Sequence, residues 1–190
     1  MKGAYKLRII SGEAKGVKLK APKGIKTRPT SDKVKESVFN IIAPYVENSN
    51  ILDLFSGTGN LGIEAVSRGA AHAYLVEKNR KQYNIIKENI LKTKLNDKIE
   101  VIIEDVYIAL EKFGKSNHKF DIIFMDPPYL KNYIIPCLGK IAEINLLDAD
   151  GIIIVEHDIK DIIPEVINNL VRFKEKKYGS TMISFYRKEE

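Results

Sequence analysis

Residues 50–62 (NILDLFSGTGNLG) place the strongest constraint on how this chain can fold. A short apolar run leads into three closely spaced glycines, Gly57, Gly59 and Gly62, and then into a helix-like segment. Glycine allows a tight turn and lets the backbone approach a ligand with no side chain between them. The stretch therefore predicts a strand, a turn and a helix N-terminus, with Asp53 near the end of the strand. Because ligands bind outside the carboxyl ends of strands in open α/β sheets, this turn is a candidate cofactor cradle.

Strand and helix patterns alternate through the rest of the chain. We predict strands over residues 51–55, 73–77, 99–103, 120–125 and 151–156, separated by helices over 59–68, 79–94, 106–113 and 131–144. A last helix is predicted by four apolar residues at helical spacing: Ile162, Ile163, Val166 and Leu170. A hairpin over 171–178 and 182–186 follows it. This alternation implies an α/β fold with a mostly parallel sheet and helices on both faces.

The N-terminal segment is strongly basic. Residues 1–35 carry eleven Lys or Arg and two acidic residues, whereas the whole chain has a net charge of +6. Alternation over 5–10 and 17–20 predicts a β-hairpin with one basic face, which carries Lys6, Arg8, Lys18 and Lys20. A local basic excess of this kind is an electrostatic footprint for nucleic acid. A solvated lysine-rich tail explains the same charges equally well.

A polar segment containing Arg28 connects the hairpin to an amphipathic helix. Apolar residues at helical spacing predict that helix over residues 31–43, ending before Pro44. We therefore divide the chain into a hairpin and linker over 1–30, which would bind RNA, and an enzyme domain over 31–190. Arg28 joins the four hairpin cations as a candidate RNA contact.

Several classes of protein are disfavoured by composition. The single cysteine, Cys137, excludes an internal disulfide and a cysteine-cluster metal site. The three histidines have no ligand spacing, so we expect no metal. No apolar run approaches membrane-spanning length, and no apolar signal core follows the N-terminus. We expect a cytoplasmic protein with no membrane partner.

A second motif, DPPY at residues 126–129, follows a predicted buried strand. An exocyclic amine is a poor nucleophile because its lone pair is delocalised into the base. The Asp126 carboxylate and the Pro127 carbonyl could each accept one N–H and turn that lone pair toward an electrophilic methyl group. Pro127 and Pro128 would stiffen the loop, and Tyr129 could stack on a flipped base. We interpret all four residues as catalytic; the alternative is a proline-rich turn that only ends a strand.

The glycine turn alone would also fit a dinucleotide fingerprint, with Glu77 at the expected spacing. Nicotinamide chemistry, however, does not need a DPPY tetrapeptide. Taken together, the turn, Glu77 and the tetrapeptide resemble an S-adenosylmethionine-dependent methyltransferase that acts on an exocyclic or amide nitrogen. The resemblance implies that Asp53 binds the amino group of the cofactor, Glu77 its ribose hydroxyls and Asp105 its adenine amine. The implied cofactor-binding set is Asp53, Ser56, Gly57, Gly59, Glu77, Asp105 and Asp126.

Nearly the whole chain resembles the bacterial 16S rRNA guanine-N2 methyltransferases of the RsmD type. The resemblance rests on RIISG (8–12), GVKL (16–19), TRPTSDKVKE (27–36) with Phe39 and Asn40, DLFSGTG (53–59), GIEA (62–65), SRGA (67–70) and DPPY (126–129). The N-terminal motifs are specific to the family, and the core motifs are shared by many methyltransferases. Ser56 and Asn60 depart from the usual alanine. The resemblance implies a seven-stranded class I fold (Rossmann-like, last strand antiparallel) with an N-terminal hairpin extension.

The resemblance also implies a substrate: a guanine of 16S rRNA, within the small ribosomal subunit or an assembly intermediate, methylated by a monomer. Other targets remain open at this point. A DNA adenine-N6 methyltransferase would share the tetrapeptide but usually carries a separate target-recognition region, for which this chain has no room. A protein-glutamine methyltransferase would more typically have Asn at position 126. Another rRNA guanine, or a role as a non-enzymatic RNA-binding protein, completes the alternatives.

Overall fold

The computed structural model describes residues 7–22, 32–129 and 131–189, which form a single sheet covered by helices on both faces. The strands are β1 (Asn50–Asp53), β2 (His72–Val76), β3 (Ile99–Ile102), β4 (Phe120–Met125), β5 (Leu147–Asp158), β6 (Val166–Ile167), β7 (Leu170–Tyr178) and β8 (Thr181–Lys188). The helices are α1 (Asp32–Val46), α2 (Asn60–Ser67), α3 (Arg80–Thr93), α4 (Val106–Lys115) and α5 (Ile134–Glu143), and a 3-10 turn spans Asn96–Lys98. No helix within these ranges is long and apolar enough to cross a membrane.

The strand order is β3-β2-β1-β4-β5-β8-β7-β6. Strands β1 to β5 run parallel to one another, and β8 is antiparallel to both β5 and β7. This is the class I methyltransferase arrangement, so the predicted fold class is confirmed. The described residues form eight strands rather than the expected seven, because two residues of β6 pair with β7 and extend the edge of the sheet.

Each face of the sheet has its own apolar core. One core packs α1, α2 and α3 against alternate strand residues such as Ile51, Leu75, Phe124 and Ile154. The other core packs α4 and α5 against the residues in between. Since successive side chains of a strand point to opposite faces, a residue two positions after one in the first core faces α1–α3 as well.

Local signals in the sequence explain several element boundaries. Asn79 begins α3, where its side chain accepts a hydrogen bond from the backbone N–H of Lys81, and Lys94 ends the helix in the left-handed conformation. Asp105 begins α4 in the same way, with its side chain accepting from the N–H of Tyr107. Asn and Asp are favoured at these positions because a helix start leaves backbone donors without partners.

Two predictions about helices are wrong. The last helix does not form: residues 159–165 are irregular, and β6 and β7 follow. Pro164 cannot supply a helical N–H, and Ile162 is 93% exposed instead of buried. The helix α1 also continues through Pro44 to Val46 instead of ending before the proline. Burial of Val46 against the first core, at 3% exposure, accompanies this last turn.

The N-terminal hairpin packs on the first core. The backbone N–H of Ile9 donates to the carbonyl of Val17 (3.0 Å), and that of Leu19 donates to the carbonyl of Leu7 (2.8 Å). The pairing is antiparallel as predicted, but within the described residues it is a single bridge between Arg8 and Lys18 instead of two strands. Leu7, Ile9 and Leu19 are buried, together with Ala14 in the turn. The domain boundary predicted at residue 30 lies outside the described residues, so that division of the chain stays a prediction.

Candidate cofactor and substrate cavity

Four acidic residues lie side by side at the carboxyl edge of the sheet. Each stands two positions after a residue of the first core: Asp53 after Ile51, Glu77 after Leu75, Asp126 after Phe124 and Glu156 after Ile154. They therefore fall on the same face of the sheet. Their strands are adjacent in the order β2-β1-β4-β5. The sequence predicted the first three acids as site residues, and the topology adds Glu156.

The glycine turn joins β1 to α2 in the manner predicted. Gly57 and Gly59 have φ values of 56° and 78°, in the left-handed region that favours glycine. At Gly62 the constraint is space, because an added Cβ would lie 2.1 Å from Leu75 Cδ2. Ser56 is buried beneath the turn, where its hydroxyl donates to the Asp53 carbonyl at 2.8 Å. This packing holds the backbone of the turn against the end of β2.

Glu77 stabilises the glycine turn directly. One carboxylate oxygen accepts the N–H of Gly57 (3.1 Å), and the other accepts the N–H of Asn79 (2.8 Å). Burial raises the pKa of Glu77, and these two backbone hydrogen bonds oppose the rise. A carboxylate has about four acceptor positions, so Glu77 can accept further hydrogen bonds from a ligand while it holds the turn.

Asp53 carries a buried oxygen that has no partner in the described part of the chain. Its side chain is 1% exposed, and Oδ2 makes no hydrogen bond there. Burial raises the pKa of Asp53 to about 7, while hydrogen bonds from the backbones of Gly62 and Phe55 oppose the rise. Leaving a buried acceptor unpaired costs about 1–3 kcal/mol. A cationic ligand group would remove that cost, which makes Asp53 a fitted acceptor for one.

The tetrapeptide 126–129 extends from β4 beside these acids. Burial, the Glu156 carboxylate and the Asp53 carboxylate raise the pKa of Asp126 well above its ordinary value. Tyr129 donates its hydroxyl hydrogen to Glu156 Oε1 at 3.0 Å, which fixes the direction of its partly exposed ring. The predicted catalytic residues therefore meet an acid on β5 that the sequence did not single out.

One cavity of about 890 Å³ brings most of the predicted site together. Its lining includes Gly57, Glu77, Asp105 and all four residues of the tetrapeptide. Asp53, Ser56 and Gly59 are buried in or next to the glycine turn and are not among the lining residues of the cavity. Sequence reasoning missed several of the lining residues: Lys33, Phe55, Tyr133, Glu156, Tyr178, Gly179, Ser180 and Thr181.

Two ends of the cavity differ in character. Near Asp105, the rings of Phe55 and Tyr133 meet edge to face at 5.5 Å between centroids, and Lys78 lies over Tyr133 at 5.6 Å. The opposite end, beyond Asp126, is formed by Glu156 and the turn between β7 and β8. The sequence signal for these missed residues is weak. Glu156 is a single acid near the end of an apolar strand, and the turn between β7 and β8 lies far along the chain from the tetrapeptide.

Of the predicted RNA contacts, Tyr129 lines the cavity, whereas Arg8, Lys18 and Lys20 lie on the N-terminal hairpin. Arg8, Lys18 and Lys20 are exposed. Arg8 pairs with Asp32 at 2.8 Å, and Lys20 pairs with Glu88 at 2.7 Å. Lys6 and Arg28, the remaining two predicted cationic contacts, lie outside the described residues.

Comparison with known proteins identifies the family. The family described as conserved hypothetical protein 95 matches residues 7–187. The chain is 42% identical to the Bacillus subtilis protein YlbH over 182 residues, which cover 96% of this chain and 99% of YlbH. It is 31% identical to ribosomal RNA small subunit methyltransferase D of Escherichia coli over 187 residues, covering 98% and 92%. The chain belongs to the small-subunit rRNA methyltransferase D family. The resemblance drawn from the sequence motifs is thereby confirmed.

A solved structure of the Escherichia coli protein yhhF superposes with a TM-score of 0.85 at 31% identity, covering 97% of this chain and 98% of that one.

S-adenosylmethionine is the cofactor of class I methyltransferases, and the cavity fits it. The unpartnered Asp53 oxygen suits the cationic amino group, and the positive-φ glycines leave backbone open to a ligand. Glu77 and Asp105 provide acceptors for hydroxyl and amine donors.

Proposed function

We propose that this chain transfers the methyl group of S-adenosylmethionine to the exocyclic N2 amine of a guanine in small-subunit (16S) rRNA. The observation that carries the proposal is that Asp126, Pro127, Pro128 and Tyr129 line the same cavity as Gly57, Glu77 and Asp105. A cofactor held by those acids and an amine held by Asp126 would therefore meet in one enclosed site. Family membership supports an rRNA substrate, since relatives carry small-subunit rRNA methyltransferase names.

The cofactor-binding residues in this proposal follow the strand order. Asp53 accepts from the amino group, Glu77 from the ribose hydroxyls and Asp105 from the adenine amine. Ser56, Gly57 and Gly59 shape the turn around the amino acid portion. S-adenosylmethionine, when bound, supplies an electrophilic methyl group and a positively charged sulfonium.

The tetrapeptide prepares the target amine. Asp126 accepts one N–H and the Pro127 carbonyl accepts the other, which turns the nitrogen lone pair toward the methyl group. The raised pKa of Asp126, caused by burial and by the Glu156 and Asp53 carboxylates, makes it a better acceptor for the proton that the amine loses. Tyr129, oriented by Glu156, stacks on the base. Catalysis then depends mainly on positioning and electrostatics.

The substrate context follows from the same proposal. The exposed cations Arg8, Lys18 and Lys20, together with Lys6 and Arg28, are assigned to the rRNA backbone. We place the reaction in the cytoplasm, on the small ribosomal subunit or an assembly intermediate, with the enzyme acting as a monomer. Metal is not needed for this chemistry.

One experiment separates this function from its alternatives. Radiolabelled methyl transfer is measured in parallel to small ribosomal subunits, naked 16S rRNA, DNA and protein, all prepared from cells that lack this activity. Digestion of the labelled rRNA should yield N2-methylguanosine, and Asp126→Asn should yield no label. Label in N6-methyladenosine of DNA, in protein, or in no acceptor at all would reject the proposal.

A further inference from the structure

Glu156 lies on β5, the strand next to the one that Asp126 follows. Strands β4 and β5 are parallel, and Met125 is in register with Val155. Glu156 is the next residue of β5 and Asp126 is the first residue after β4, so they come next to each other at strands whose spacing is about 4.8 Å. Both line the cavity. The side chain of Glu156 is buried, at 7% exposure.

The two carboxylates also point the same way. Phe124 and Ile154, two residues earlier on each strand, both belong to the core under α1–α3. The strand period of two therefore sends Asp126 and Glu156 toward that same face. Burial together with the adjacent Glu156 carboxylate raises the pKa of Asp126, which agrees with this proximity. A buried pair of like charges is costly, and a raised pKa on one of the two carboxyl groups lowers that cost. A ligand with two adjacent N–H donors would lower it as well.

We infer that Glu156 is a specificity-determining residue that accepts the N1–H of the target guanine while Asp126 holds the N2 amine. The inference rests on the proposed function, because it places a guanine in the cavity. Guanine presents N1–H and N2–H as adjacent donors on its Watson–Crick edge, and enzymes read an extruded base through that edge. Two acceptors on neighbouring strands match two adjacent donors.

Adenine does not present this pair of adjacent donors. Its corresponding edge offers the N6 amine but an unprotonated N1, which is an acceptor. A carboxylate facing that nitrogen would bring two acceptors together, with no hydrogen bond between them. A site built to hydrogen-bond a particular N–H rejects analogues that lack it, because the buried polar groups of the site then lose their partner. Glu156 thereby selects guanine over adenine for the same Asp126 chemistry.

The hydrogen bond from Tyr129 gives Glu156 a second possible role, as a support for the tyrosine ring. The two roles are compatible, since a carboxylate has about four acceptor positions and the Tyr129 hydroxyl occupies one of them at Oε1. A support role alone would affect the rate for every base equally. A recognition role would change the preference between bases.

The test compares Glu156→Gln with Tyr129→Phe. The methylated position is first mapped with the wild-type enzyme, and small subunits are then reconstituted with guanine or adenine at that position. Glu156→Gln should lower kcat/KM for guanine roughly ten- to hundredfold, as expected for loss of a base-reading hydrogen bond. It should also lower the ratio of kcat/KM for guanine to kcat/KM for adenine, because the glutamine amide can donate to adenine N1. The Kd for S-adenosylmethionine should stay within about twofold, which also verifies folding.

Tyr129→Phe keeps the ring and the Glu156 carboxylate but removes the hydrogen bond between them. It should lower the rate without narrowing the guanine-to-adenine ratio. An unchanged ratio in Glu156→Gln, or an equal narrowing in both variants, would overturn the inference while the wild-type product stays N2-methylguanosine. Absence of N2-methylguanosine from the wild-type reaction would instead overturn the proposed function, and the inference with it.

Discussion

Lys35 Nζ lies 2.8 Å from Glu64 Oε2, and the side chains are only 1% and 0% exposed. The pair joins α1 to α2. Glu64 also accepts hydrogen bonds from the backbone N–H groups of Ile10 (2.8 Å) and Ser11 (3.0 Å), and from Arg68 Nε (2.8 Å). Motifs that carry the family resemblance, at residues 8–12, 27–36, 62–65 and 67–70, therefore meet at one buried carboxylate away from the cavity. They fix the N-terminal hairpin to the core.

We predict that Glu64→Gln lowers the free energy of unfolding by about 3–5 kcal/mol, because it leaves the Lys35 charge buried without its partner. Burial already lowers the pKa of Lys35, and the Glu64 carboxylate opposes that change. Urea denaturation at pH 7 measures the loss. The matched control is Glu88→Gln, which breaks the half-exposed pair with Lys20. The control should cost less than about 1 kcal/mol, and equal losses in the two variants would contradict the prediction.

Asp53 should make cofactor binding depend on pH. Burial raises the pKa of Asp53 to about 7, so the side chain holds a proton in more acidic solution and cannot pair with a cationic amino group. We predict that the Kd for S-adenosylmethionine rises about tenfold for each pH unit below 7, as expected for ligand binding to one ionised group. Calorimetry from pH 5.5 to 7.5 measures this dependence. The Asp53→Asn variant should bind S-adenosylmethionine weakly, and its Kd should not rise in this way as pH falls. A wild-type Kd constant over that range would remove Asp53 from the amino group.

Asp53 should also make the free energy of unfolding of the cofactor-free protein depend on pH. Because the folded pKa lies above the ordinary value of 3.8, the folded state binds more protons than the unfolded state between pH 3.8 and about 7, and stability falls as pH rises through that window. The full difference corresponds to roughly 4 kcal/mol. We therefore predict that Asp53→Asn raises the free energy of unfolding at pH 7.5 by up to about that amount. A destabilised variant would contradict this account.

The sequence predicted the parts of the site that are local in the chain. Gly57, Gly59 and the strand before them form a compact signal, and the tetrapeptide follows its strand directly. Glu156 was missed because one acid ending an apolar strand becomes informative only when β5 is known to lie beside β4. The prediction of a last helix failed for a similar reason. The apolar residues are at helical spacing, but Pro164 and the exposed Ile162 show that this spacing does not mark a buried helical face.

Asp126→Ala should abolish turnover while largely sparing cofactor binding, because its proposed partner is the target amine, which is absent from the binary complex. Loss of a positioned proton acceptor typically costs about 10²- to 10⁴-fold in rate. Single-turnover methylation and cofactor titration are compared on one sample. If both fail in a folded protein, Asp126 is first of all a cofactor ligand. Persistence of turnover would remove it from the reaction.

Glu77→Ala should weaken S-adenosylmethionine binding by two routes. The ribose hydroxyls lose a charged acceptor, and the turn loses the hydrogen bonds from Gly57 (3.1 Å) and Asn79 (2.8 Å). Hydrogen bonds to a charged group contribute about 1.5–3 kcal/mol each, so we expect the Kd to rise at least about tenfold by calorimetry. Glu100→Ala, an exposed position on β3, is the control and should leave the Kd unchanged. A wild-type Kd in Glu77→Ala would exclude Glu77 from the cofactor site.

The basic hairpin should hold rRNA through its charges, but deleting it is a poor test. Leu7, Ile9, Ala14 and Leu19 belong to the core under α1–α3, so removal of residues 1–26 is expected to unfold the protein. Charge reversal keeps that packing, because the side chains of Arg8, Lys18 and Lys20 are exposed. The informative variant reverses the four hairpin cations Lys6, Arg8, Lys18 and Lys20 together.

If those cations neutralise about four phosphates, log affinity for the rRNA should fall with log salt at a slope near −3, from about −0.7 per contact for single strands. The charge-reversal variant should flatten the slope toward zero while its Kd for S-adenosylmethionine stays unchanged. The control reverses four exposed lysines near the amino ends of β3 and β4, at the edge of the sheet opposite the cavity: Lys92, Lys94, Lys98 and Lys115. It should keep the wild-type slope. Full methylation with wild-type salt dependence in the hairpin variant would show that these cations form only a solvated surface.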